Sequence, residues 1–280
     1  MEIHVLGSLS VHHDGHDATP TASKPRKVLA LLLLNEARVV STASLLTELW
    51  DDAPPRSALT TLQTYILQLR KLIAAALDVP VATVAREVLI TRNGGYSFRS
   101  PGDDFDLQQY AKLSNQGRAA LEAGDDATGV RLIRRALATW TGPVLVDVEH
   151  GRLIQTEAAR LNQCRLTLIE RRIEAELGMR RHRELLGELA SLAVEHPFHE
   201  DLHGQYMLAL HLSGRRERAL DVFHQLRGSM IEELGLEPSP RIQRLQHAII
   251  SSDPRLDDPH TGISLLQSIP LPEPSRAGAN

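Results

Sequence analysis

Two stretches of the 280-residue chain carry residue types and spacings that could do chemistry. The string His199-Glu200-Asp201-Leu202-His203 fits the H-E-x-x-H pattern. In that pattern two histidines one helical turn apart hold zinc and the glutamate acts as general base. The second stretch, Ser57–Leu77, has helical apolar spacing at Leu59, Leu62, Ile66, Leu69 and Ile73. Its opposite flank collects Ser57, Thr60, Thr61, Thr64, Gln68 and Lys71, with Leu67 at the edge. No acid occurs from Arg56 through Leu77. Hydroxyls, an amide and a lysine without a carboxylate suit a helix that faces a nucleic-acid duplex, where base edges want hydrogen-bonding groups and phosphates repel acids.

The elements around each stretch decide between these chemistries. His199 and His203 follow Pro197 at the start of a helix in a run of helices, so the string is read as structural, with no metal and no catalysis. His4, His12, His13 and His16 form a loose surface cluster, Asp51-Asp52 and Asp125-Asp126 are loop acids, and Cys164 is a small buried apolar residue. A single cysteine excludes an intramolecular disulfide and a thiolate cage. No cofactor is expected. The long helix, in contrast, sits inside an ordered series. Ile3, Val5, Leu9 and Val11 read as short antiparallel strands turning at His13-Asp14-Gly15. SKPRKVLALLLL opens a buried helix with Pro25 in its first turn, and Ser41 caps a second helix ending near Trp50. Two prolines, Pro54 and Pro55, force a loop before the third helix. After it, Asn93-Gly94 turns a hairpin between Val88–Arg92 and Tyr96–Phe98.

Ser100–Asp104 reads as a short polar linker, giving domains at 1–100 and 104–250. Residues 105–250 read as successive helices. A skeleton of small and apolar residues at Ile173, Leu185, Leu189 and Pro197 recurs 34 residues later at Met207, Ala219 and Phe223, as in stacked helix–turn–helix repeats. A third, more distant copy lies at Gly117, Gly129 and Ile133. Residues 251–280 hold five prolines and little periodicity, and are expected to be disordered, although Ile263–Leu266 is a short apolar run. The expected architecture is therefore mainly α: a winged helix-turn-helix of α+β type, then an all-α TPR-like repeat domain.

Composition bounds the rest. Apolar residues make up 42% and charged residues 24%, values of a soluble globular chain. No run is long enough for a membrane helix, and MEIHVLGSLSVHHDG has no secretory pattern, so a cytoplasmic, nucleoid-associated location is expected. Aromatics at 4% argue against a stacking platform for single strands. The net charge is −4, but residues 1–100 carry 10 Lys and Arg against 9 Asp and Glu. Any duplex binding in that half must use clustered rather than bulk charge. A competing reading makes the chain a TPR-like protein-interaction scaffold without DNA binding.

SKPRKVLALLLL, VVSTASLLTELWDDAPP, SALTTLQTYILQLRKLI and RNGGYSF, followed by GPVLVDV, the helical run from Arg171 and EELGLEPSP, resemble the Streptomyces antibiotic regulatory protein family over about residues 1–250. The resemblance implies an OmpR/PhoB-type winged helix and a bacterial transcriptional activation domain. It implies an activator of antibiotic gene clusters that binds direct repeats in duplex promoter DNA as a homodimer or tandem protomers and recruits RNA polymerase holoenzyme. By the same resemblance, Ser57–Leu77 matches the recognition helix, with Arg56, Ser57, Thr60, Thr61, Thr64, Gln68, Arg70 and Lys71 as DNA-binding positions. Arg92 matches the wing. Lys24, Arg26 and Lys27, at a helix start, would meet phosphates. The Trp50–Arg56 loop matches the polymerase-facing loop. No receiver segment and no GxxxxGK[ST] motif occur in these residues, so neither a phospho-aspartate switch nor nucleotide hydrolysis is carried over.

Overall fold

The computed structural model describes residues 1–100, 102 and 104–267, and these divide into two compact units, Met1–Leu168 and Ile169 onward. The first unit opens with an antiparallel sheet of β1 (Glu2–His4), β2 (Ser10–His13) and β3 (His16–Asp17). The β2–β3 turn falls at Asp14-Gly15, both at positive φ. Helix α1 (Ser23–Leu34) follows; Val28 through Leu34 are at most 3% exposed, so this helix is apolar on every side and forms the centre of the core. Strand β4 (Val39–Ser41) leads into α2 (Thr42–Trp50), whose first turn is capped by the Ser41 hydroxyl accepting from the Ser44 N–H at 2.9 Å.

Helix α3 (Ala58–Leu77) buries Leu62, Ile66, Leu69 and Ile73, the stripe that its spacing predicts. Leu59, counted in that stripe by periodicity, is 51% exposed, while its neighbour Ala58 is buried. Helix α4 (Val81–Glu87) and strands β5 (Leu89–Arg92) and β6 (Gly95–Phe98) complete the winged fold, with sheet order β4-β6-β5. The register pairs Val40 with Tyr96 and Ile90 with Ser97. Gly94 sits at φ 79°, a conformation glycine adopts without strain, so the hairpin closes in two residues. Strand β4 and helix α4 are elements that the sequence reading does not contain. Both are short, and neither has enough residues to display a period.

The linker near residue 100 does not separate two bodies. The chain continues into α5 (Asp106–Glu122) and α6 (Asp126–Leu137), and the first unit ends within α7 (Arg152–Gly178). Its helical segment is bonded to the winged helix at several points. Asp106 Oδ2 accepts from the Val5 and Leu6 N–H groups, each at 2.8 Å. The Thr141 N–H donates to Leu6 O at 2.8 Å and the Leu145 N–H to Val5 O at 3.0 Å. Glu48, 3% exposed on α2, accepts from the N–H groups of Gly151 at 2.6 Å, Leu153 at 2.8 Å and Ile154 at 3.3 Å. These are the unpaired donors at the start of α7, where the helix dipole favours a negative charge. Gly151 is required there, since a Cβ would lie 2.6 Å from the Glu48 backbone and side-chain oxygens.

The second unit is helical: α8 (His182–Glu195), α9 (Glu200–Leu212), α10 (Arg216–Leu234) and α11 (Pro240–Ser251), with the C-terminal part of α7. Consecutive helices α8, α9 and α10 pack in sequence, as helical hairpins do. Arg172, 4% exposed at its side chain, bridges Glu176 and Glu188. The expected disorder from residue 251 is corrected in part. Pro254–Asp257 forms a 3-10 turn and α12 (Pro259–Gln267) follows, with Leu256 and Ile263 buried. Two of the prolines that suggested disorder, Pro254 and Pro259, stand at the first positions of these turns, where a missing N–H costs nothing. Residues 268–280 lie outside the described residues.

Glu48→Ala removes a buried acceptor from three donors and is expected to lower the unfolding free energy by about 3 kcal/mol, read by chemical denaturation. Glu48→Gln should fall between the two, and Gly151→Ala should destabilise by forcing the cap apart.

Candidate nucleic-acid interface

The polar flank of α3 is exposed. Ser57, Thr60, Gln63, Thr64, Gln68 and Lys71 are all exposed and Thr61 is half-buried. At about 100° per residue they fall on the side opposite Leu62, Ile66, Leu69 and Ile73. The Thr64 hydroxyl donates to Thr60 O at 3.0 Å, so towards a ligand it presents a methyl group and acceptor lone pairs. Gln63 and Leu67 share this flank; the helical rotation that placed the others could have found Gln63.

Arg70 is placed differently from its neighbours. Its Nε and Nη2 donate to Leu89 O at 3.0 and 2.8 Å, and Nη2 donates to Thr91 Oγ1 at 2.8 Å. The guanidinium therefore ties α3 to strand β5, and burial pushes its pKa below the ordinary arginine value. Arg70 fixes the angle between helix and hairpin rather than offering itself to the surface. Arg92, beside the Asn93-Gly94 turn, is exposed, as is Arg56 before α3. Among the described residues, Arg56, Lys71 and Arg92 have no hydrogen-bond or ion-pair partner.

The expected basic cluster at the start of α1 is not a free patch. Arg26 donates to Leu9 O at 3.0 Å and Pro20 O at 3.2 Å and pairs with Asp147. Lys27, 8% exposed at its side chain, pairs with Glu149 at 3.5 Å. Lys24 is exposed but its Nζ stands 4.7 Å from the centre of the Trp50 ring, a cation–π contact. The sequence could not disclose the two ion pairs, because Asp147 and Glu149 lie more than a hundred residues away. In the expected Trp50–Arg56 loop, Trp50 is the half-buried last residue of α2 and residues 51–56 are exposed, with Asp51 and Asp52 pairing with Arg152 at 2.7 and 2.8 Å.

The H-E-x-x-H string is committed elsewhere. His199 Nε2 pairs with Glu170 at 2.9 Å, His203 is 5% exposed with Nδ1 3.0 Å from His199 O, and Glu200 takes the N–H and hydroxyl of Ser239. Among the described residues no three His, Cys, Asp or Glu side chains cluster as a metal site. No helix of the described residues is long and apolar enough to cross a membrane.

Comparison with known proteins settles the lineage of this arrangement. The model of the bacterial transcriptional activator domain matches residues 105–250, and that of the C-terminal domain of transcriptional regulatory proteins matches residues 17–98. Regulatory protein DnrI of Streptomyces peucetius is 46% identical over 92% of this chain and 94% of its own length. The chain belongs to the Streptomyces antibiotic regulatory protein family. Regulatory protein AfsR of Streptomyces coelicolor is 36% identical over 90% of the chain, which spans only 24% of that longer protein. The solved structure of Mycobacterium tuberculosis EmbR in complex with a low-affinity phosphopeptide matches 95% of this chain and 68% of its own, with TM-score 0.84 and 30% identity. The fold is thus mainly helical with an N-terminal winged helix, and the family is one of transcriptional regulators rather than enzymes. The two matched domain models meet near residue 100, whereas the compact units divide at Leu168, because the start of the second domain folds onto the first.

Glu170 beside His199 holds its imidazole above the ordinary value of 6.5, against the opposing effect of burial. A histidine whose folded pKa exceeds its unfolded one contributes stability in full below the unfolded value and loses it as pH rises through the folded value. Glu170→Gln should therefore lower the melting temperature more at about pH 5.5 than at about pH 8.5. Equal losses at both, in thermal scans, would show that the pair contributes nothing as an ion pair.

Proposed function

We propose that this chain is a sequence-specific activator that inserts α3 into the major groove of promoter direct repeats, with the β5–β6 hairpin at the flanking minor groove or phosphate. The observation that carries the reading is the exposed, acid-free flank of a 20-residue helix in a winged fold, with unpaired Lys71 and Arg56 alongside it. Ser57, Thr60, Thr61, Thr64 and Gln68 would meet base edges, and Arg56, Lys71 and Arg92 would meet phosphates. Lys24 would contribute at the rim. Arg26 and Lys27, already neutralised by Asp147 and Glu149, would hold the scaffold, and Arg70 would set the helix–wing angle.

The Trp50–Arg56 loop, exposed over residues 51–56 and braced by Arg152, would face RNA polymerase holoenzyme, and the protein would act as a homodimer or as tandem protomers on the repeats. The 46% identity to DnrI supports an antibiotic or secondary-metabolite cluster as the target. Activity of this kind needs no cofactor, and places the protein with the cytoplasmic nucleoid.

Duplexes retained by the full chain from a random pool, measured by fluorescence anisotropy over a salt series, test the reading. Lys71→Ala should weaken binding on every retained sequence and reduce the salt slope by about 0.9, one phosphate contact. Thr64→Ala should instead change the preferred repeat. Failure to retain any duplex would overturn the proposal.

A further inference from the structure

The flank of α3 that faces solvent is not uniformly polar. Leu67 is 46% exposed. It lies one turn after Thr64 and one turn before Lys71, and about 20° in rotation from Thr60. Two other exposed leucines of the helix, Leu59 and Leu72, lie about 140° and about 80° from Thr64, away from the middle of the flank. Single exposed apolar side chains are ordinary on protein surfaces. What distinguishes Leu67 is its company: Thr60, Gln63, Thr64 and Lys71 surround it, all exposed and none acidic. A helix laid in a groove along Thr60, Thr64 and Lys71 cannot leave Leu67 outside that groove.

We propose that Leu67 is a specificity-determining residue that packs against the C5-methyl group of a thymine, an inference that rests on the DNA-binding reading above. The major-groove edges of the four base pairs carry one apolar group, the thymine methyl. At the corresponding position cytosine carries only C5–H beside its amino donor, and the purine edges present donors or acceptors. A leucine pressed against guanine or cytosine displaces water from a polar group and returns no hydrogen bond, which costs affinity. A leucine pressed against thymine removes two apolar surfaces from water at once. The side chain therefore discriminates in both directions, favouring the methyl and penalising its absence. The amides around it cannot supply this, and the threonine methyls of the flank are smaller apolar groups than the leucine side chain.

Deoxyuridine pairs as thymidine does and lacks only the methyl group, so it isolates the contact. The full chain is first used to select duplexes from a random pool, and each thymine of the best repeat is then replaced in turn by deoxyuridine. One replacement per repeat should weaken wild-type binding about three- to fivefold, the value of one buried methyl-sized group. Leu67→Ala should bind the thymine and uracil duplexes equally and should select repeats with relaxed preference at that position, and Leu67→Ile should retain part of the discrimination. An unchanged melting temperature of Leu67→Ala, expected for an exposed position, shows that the fold is intact. Retained duplexes whose binding ignores every methyl, or equal methyl sensitivity in wild type and Leu67→Ala, overturn the role of Leu67 and leave the DNA-binding reading standing. Loss of all binding by Leu67→Ala overturns it too, because one methyl contact cannot account for that. A wild-type chain that retains no duplex overturns both.

Discussion

One buried carboxylate organises the first unit. Glu48 belongs to α2, the helix that precedes the loop into α3, yet its oxygens cap the start of α7. A charge taken out of water is unfavourable unless donors replace the lost hydration. Here three backbone N–H groups at a helix start do so, and the dipole of α7 adds to them. The same side chain thus closes one helix and fixes the position of another. Around it the opposite charges fall into line: Arg26 with Asp147, Lys27 with Glu149, Arg152 with Asp51 and Asp52. The partly buried pairs hold geometry more than they add stability, because exposed ion pairs are screened and buried ones repay desolvation.

This seam changes what the basic residues of α1 mean. A run of Ser-Lys-Pro-Arg-Lys at a helix start looks like an anion site when only the neighbouring sequence is known. Folding brings the Asp147–Glu149 segment over it, and two of the three cations are neutralised. Within the winged helix, exposed cations without a side-chain partner stand instead at Arg56, Lys71 and Arg92, on and around α3, and at Arg38 and Arg99. A chain of net charge −4 can in this way keep exposed, unpaired cations beside α3 while Arg26 and Lys27 are neutralised within the scaffold.

Local signals were the legible ones. The 3.6-residue period drew α3 to within a residue of its start, the Ser41 cap and the Asn93-Gly94 turn stand where their chemistry required, and the polar flank of α3 was readable as a rotation. Non-local signals were not. Nothing near Glu48 announces that it belongs to a helix a hundred residues on, and nothing near Arg70 says that β5 will accept its hydrogen bonds. The H-E-x-x-H string shows that a short local pattern does not by itself make a site, since His203 is packed inside and Glu200 holds Ser239. Pro254 and Pro259 misled because proline marks the first turn of a helix as readily as it marks a disordered chain.

The tight fit of Gly151 over Glu48 has a bearing on how such proteins can be recombined. A chimera that joins the winged helix of one relative to the helical half of another at the linker would preserve both matched domains in name. It would also set a foreign residue over the carboxylate unless the loop preceding α7 travelled with its original α2. The useful splice point for building hybrid regulators is therefore inside α7, past the last residue that Glu48 grips, and not in the stretch where the polypeptide looks most severable.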